Sequence, residues 1–195
     1  MIPAKRTRKG HAMRAFATSF LSAALLTLAA APSAFADETA FHAGSVITGY
    51  GKVATVDADM AIPKNMKFKV RFDVRPAATP GEVNRSFDTA ARFINMHVEH
   101  GVPLKNINLA IVVHGPATVD LAKDELYSAR NGVPNATAPL IAELIKNGVK
   151  IYVCGQAAAM HDVAKEDLLP GVEVALSAMT AHAVLDAEGY VLNPF

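Results

Sequence analysis

The sequence predicts an α/β fold, a three-layer α/β/α sandwich on a mostly parallel sheet of about five strands. Three observations predict it. Strand-like runs alternate with helix-like runs, and the helix-containing connections are long enough for crossovers. The run Ile107 to Gly115, INLAIVVHG, is nearly all apolar, as expected of a strand covered on both faces. The apolar period also switches from two to about 3.6 between Met66–Val74 and Glu82–His100.

Residues 1–36 stand apart from this pattern. Lys5, Arg6, Arg8, Lys9 and Arg14 give a basic start with no acid, and an apolar run follows from Ala15 to Ala31. Pro32 breaks the run, and Ala34-Phe35-Ala36 places small residues where a signal peptidase cuts. The competing reading is an uncleaved anchor, but the run only just reaches the shortest spanning length and Ser and Thr interrupt it. The expectation is a secretory signal peptide cleaved after Ala36 and a periplasmic product. No Arg-Arg pair points to the twin-arginine route.

Loss of the leader leaves 14 basic and 18 acidic residues, a net charge of about −4 in place of +1. No basic cluster is visible in the remaining sequence. This argues against nucleic acid and anionic lipid as partners, and so against stable membrane association after cleavage. One cysteine, Cys154, excludes an internal disulfide framework.

Residues 37–65 carry scattered Gly44, Gly49, Gly51 and Pro63 and read as an irregular arm, with a short strand near Val53 to Val56. The α/β domain is expected over 66–195. Met66, Phe68, Val70, Phe72 and Val74 point one way and Lys67, Lys69, Arg71 and Asp73 the other, a strand with one apolar face. After the RPAATPG loop, Val83, Phe87, Ala90, Ala91, Ile94 and Val98 form a helical stripe, stopped by Gly101 and Pro103. The Ile107–Gly115 strand precedes a short helix near Thr118–Ser128. Leu140, Ile141, Leu144 and Ile145 mark a second main helix closed by Gly148. KIYVCG is the next strand, Ala157–Val163 a short helix, and VEVALS a fourth strand. Ala178–Ala187 is a helix stopped by Gly189, and YVLNPF a last strand.

Cys154 ends a buried strand directly before Gly155 and a helix start. Ligand sites of open α/β sheets lie at this kind of edge, and helix-start N–H groups favour a thiolate. The alternative is a cysteine that packs as a small hydrophobe. His114 ends IVVHG as Cys154 ends IYVCG, so parallel neighbouring strands would set both on one rim, where an imidazole can orient or deprotonate a thiol. His114 can equally serve only its local loop. Gln156 can offer its amide to a bound anion or polysulfide, or cap the helix. His97 and His100 make a weak metal pattern without partners elsewhere in the sequence, so no metal and no cofactor are expected. His161 and His182 read as surface or satisfied groups, and Asn135-Ala136-Thr137 as a chance sequon.

IVVHGPA, NGVKIYVCGQAAA, EDLLPGVEVALSAMTAHAVLDAEGY and the closing NPF resemble the exported branch of the DsrE/DsrF-like family of sulfur-relay and related proteins. The resemblance implies a compact α/β/α domain that assembles as a trimer or hexamer. It implies that Cys154 carries sulfane sulfur as a persulfide, received from a donor or passed to an acceptor protein or small polysulfide. Such a protein would be a sulfur carrier or transferase-like. The basic segment that follows the cysteine in the cytoplasmic relay proteins is absent here. A non-catalytic, oligomeric small-ligand-binding module and a thiol redox sensor are the competing functional readings.

Overall fold

Five parallel strands, in the order β6-β5-β4-β3-β7, form the centre of the molecule in a computed structural model. Residues 40–194 are described; the expected cleavage site between Ala36 and Asp37 lies outside the described residues. The elements in chain order begin with β1 (Phe41–His42), β2 (Val53–Ala54), β3 (Phe68–Val74), α1 (Arg85–Glu99) and β4 (Ile107–Val113). They continue with α2 (Asp124–Asn131), α3 (Ala138–Lys146), β5 (Lys150–Cys154) and α4 (Gly155–Met160). The last three are β6 (Val172–Ala175), α5 (Ala178–Ala187) and β7 (Val191–Asn193). Every neighbouring pair in the main sheet is parallel, so all five carboxyl ends line one edge. Among the described residues no helix is long and apolar enough to cross a membrane.

Strand alternation divides the core in two. Phe72, Val74, Leu109, Ile111, Val113, Ile151 and Val153 turn toward Phe87 and Ile94 of α1 and Leu140, Ile141 and Leu144 of α3. On the opposite face Ala110 and Val112 meet Ala181 and Leu185 of α5, together with Tyr190. These two packed faces make the three layers.

Several boundaries differ from the sequence expectation for identifiable reasons. The helix expected at Thr118–Ser128 is a 3-10 stretch, Gly115–Leu121, followed by α2. The helix expected to start at Ala157 starts at Gly155. A Cβ at Gly155 would stand 2.8 Å from the Ala175 carbonyl oxygen, so this glycine permits a close approach to β6. Arg71, expected to face solvent, is buried beneath the end of α5. Its Nη1 donates to the Tyr190 carbonyl and to Asp186 Oδ1. Lys69 Nζ likewise donates to the Glu188 carbonyl at 2.6 Å, so two cations from β3 meet the negative end of α5.

Side chains of α1 and the residue after it hold the arm, among them Asp88, Arg92 and His100, and Asn95 makes the most bonds to it. β1 and β2 pair antiparallel over two residues each, shorter than the strand expected near Val53–Val56. Between them the chain folds around Asn95 of α1, which is fully buried. Asn95 Oδ1 accepts from the Val46 and Ile47 N–H groups, and Nδ2 donates to the carbonyls of Ile47, Tyr50 and Gly51. Gly51 sits at φ +60°, and a Cβ there would stand 2.3 Å from the Arg92 amide nitrogen. Ile47 thereby enters the main core.

Candidate functional site

Register places the candidate residues. Val74, Val113 and Val153 form one row across β3, β4 and β5. Arg75, His114 and Cys154 each follow a member of that row, so they begin the carboxyl edge side by side. Cys154 is also the register partner of Ala175 on β6. Because Val113 and Val153 face the α1–α3 core, alternation turns His114 and Cys154 toward the α5 layer, as it does Asp73.

Cys154 is both the last residue of β5 and the residue that caps α4, with extended backbone at φ −66° and ψ 114°. It is free and buried, 7% exposed. No hydrogen bond reaches its sulfur among the described residues. Gln156, next but one, donates Nε2–H to the Leu176 carbonyl at 3.3 Å and so ties α4 to the end of β6. Gly155 permits the close packing between them, as its missing Cβ shows.

His114 is held by a residue that sequence reasoning did not single out. Its Nε2 lies 3.1 Å from Asp73 Oδ1, and His182 Nε2 from α5 lies 2.9 Å from the same oxygen. A carboxylate only accepts, so each ring carries its proton on Nε2 in these bonds, which leaves Nδ1 as the atom that can take or give one. Partial burial pulls the Asp73 carboxyl upward, but bonds and charge from His182 and His114 outweigh it, leaving it below the ordinary carboxylate value. The carboxylate therefore stays ionised at neutral pH. In the sequence, Asp73 was one of four polar residues on the outer side of a strand. His182 was read as a surface or satisfied group; it lies on α5 beside Ala178, Ala181 and Leu185, which pack on the sheet.

The other singled-out histidines do structural work. His97 stacks on Phe93 with ring centroids 4.0 Å apart, and burial lowers its pKa against the upward pull of its bond to the Phe93 carbonyl. His100 bonds the carbonyls of Met96 and Val56, and those two bonds raise its pKa. No three His, Cys, Asp or Glu side chains among the described residues are arranged to hold a metal ion. Asn135 is buried and donates to the carbonyls of Asp120 and Ala122, so the sequon is occupied in folding. An apolar hollow of about 230 Å³ lies between β6 and α5, lined by Tyr152, Val174, Leu176, Val184 and Leu185 among others; Cys154 does not line it.

The DsrE/DsrF-like family model matches residues 66–194, which is the whole of the main sheet with its helices. No curated protein matches the chain. A solved structure of a protein of unknown function, MTH1491 from Methanobacterium thermoautotrophicum, is similar at 17% identity. It covers 65% of this chain and 98% of its own, with a TM-score of 0.45. With a family match over most of its length, this chain belongs to the DsrE/DsrF-like family.

Proposed function

We propose that this protein is a periplasmic single-thiol sulfur carrier that accepts sulfane sulfur on Cys154. Family membership supports a sulfur-relay-related role. The observation that carries the assignment to a residue is the adjacency of Cys154 to His114, whose imidazole is fixed by Asp73. In the proposed step the Cys154 thiolate attacks the terminal sulfur of a hydropolysulfide. A new S–S bond forms, the terminal S–S bond of the polysulfide breaks, and the shortened polysulfide leaves with the electron pair and takes a proton from a protonated imidazole. Electrons balance without an oxidant. The shelter of Cys154 protects the resulting persulfide from further exchange.

Native protein exposed to polysulfide should gain the mass of one sulfur atom, reversed by a thiol reductant and absent in Cys154→Ser. If the thiol of native protein resists both polysulfide and alkylating reagent until unfolding, this reading fails. The hollow between β6 and α5 then favours the non-catalytic binding module.

A second part of the proposal concerns assembly. Leu176 is 73% exposed and Met179 80%, and Val174 and Val184 lie exposed beside them. This apolar surface flanks β6, an edge strand with unpaired backbone groups. We propose that copies of the chain meet here, as a trimer or hexamer.

A further inference from the structure

We infer that the amino-end edge of the sheet is a contact surface for an anionic lipid bilayer. The net negative charge of the chain without its leader averages over the surface and hides a local cluster. Lys64, Lys67, Lys69 and Lys105 come from the lead into β3, β3 itself and the turn before β4, and line one open depression of about 800 Å³. No carboxylate among the described residues lines it. Lys64, Lys67 and Lys105 are exposed and make no ion pair among the described residues, whereas Lys69 is engaged by the Glu188 carbonyl.

Two features select a bilayer over a small soluble anion. First, Met66 and Ile62, respectively 41% and 36% exposed, line a neighbouring hollow with Lys64, and Met66 shares another with Lys67 and Lys69. Apolar side chains beside flexible ammonium groups match the boundary between acyl chains and headgroups. Second, the cations are all lysines. They act as mobile point charges suited to a diffuse negative surface, and among the described residues no arginine lines the depression to grip one phosphate in a fixed orientation. The placement is also productive. Cys154, His114 and Asp73 occupy the opposite edge of the same parallel strands, roughly 20 Å away along a seven-residue strand. A molecule resting on its lysine edge presents the thiol edge away from the bilayer. The attraction is electrostatic and reversible, so it differs from stable anchoring.

The test is co-sedimentation of the full chain with phosphatidylcholine vesicles, with and without phosphatidylglycerol. The charge-reversed Lys64→Glu/Lys67→Glu/Lys105→Glu chain is run in parallel, so that the leader contributes equally to both. Binding should require phosphatidylglycerol, weaken as salt rises, and fall about tenfold or more on charge reversal. Met66→Ser should weaken it less. If charge reversal disturbs folding by circular dichroism, the neutral Lys→Gln triple replaces it with the same expected direction. Equal binding to both vesicle types, or unchanged binding after charge removal, overturns the inference. So does displacement by inorganic phosphate beyond the effect of sodium chloride at matched ionic strength, which would assign the edge to a soluble anion.

Discussion

Asp73 and His182, 109 residues apart in sequence, meet at 2.9 Å at the carboxyl edge of the sheet, where Asp73 also holds His114. One carboxylate therefore sets the proton position on two rings that come from a strand end and a helix. It does so two residue rows below the position occupied by Cys154 on β5.

Asp73→Asn tests whether this arrangement serves the thiol. It removes the charge that holds both Nε2 protons and keeps the size of the side chain. The expected outcome is a changed pH profile for alkylation of Cys154 and about tenfold slower persulfide formation, within the range that a positioned acid–base group contributes. A merely structural Asp73 would alter thermal stability and leave the profile unchanged. Asp73 also predicts a stability effect. Its folded pKa lies below 3.8, so its contribution is present above that value and is lost as pH falls through the folded pKa. Acid unfolding of Asp73→Asn should show a flatter limb below about pH 4.

Asp120 predicts the opposite sign. It is almost fully buried, and burial raises its pKa against the bonds it accepts from Asn84 Nδ2 and the Ala78 N–H. A raised carboxyl pKa means that stability declines as pH rises from the unfolded value of 3.8 toward the folded one. Both bonds go to Oδ2, so Asp120→Asn can retain them through its carbonyl oxygen and should abolish this decline at little cost in stability. Asp120→Leu leaves two donors without an acceptor and should cost about 2–4 kcal/mol. Urea unfolding across pH 4 to 7 distinguishes the two variants.

Asn95 predicts that the arm can be released without unfolding the sheet. Asn95→Ala deletes an acceptor for two amides and the donors to three carbonyls, several of them buried. A loss of about 3 kcal/mol is expected. Hydrogen exchange should accelerate over residues 46–51 and leave β4 and β5 protected.

The features legible in sequence were those with a local period. The alternation of Phe68, Val70, Phe72 and Val74 and the stripe from Phe87 to Ile94 each encode a face, and the faces are where the structure puts them. The adjacency of His114 and Cys154 followed from two matching strand ends. What stayed hidden depends on polar pairs far apart in sequence. Asn95 lies beside an apolar stripe with nothing nearby to mark the arm as its partner. Arg71 alternates with apolar residues and so read as solvent-facing, because the burial of the second face depends on α5, more than 100 residues later. The lysine edge was hidden for the same reason, since Lys64 and Lys105 meet only when β3 and β4 pair.

The last prediction concerns assembly. A monomer would leave Leu176 and Met179 in water next to an edge strand, a combination that invites pairing with another chain. Because both side chains are already exposed, charged replacements do not disturb the monomer core, and Leu176→Glu/Met179→Glu should keep its circular dichroism spectrum and thermal midpoint. What the change should remove is the contact between copies, since burying two carboxylates in an apolar interface costs far more than the contact gains. Sedimentation at micromolar concentration should show the original chain as a trimer or hexamer and the double variant as a monomer. Lys105→Glu, on the opposite edge, should assemble as the original does. A monomeric original chain would refute assembly altogether. An oligomer that survives the double substitution would place the interface elsewhere on the molecule.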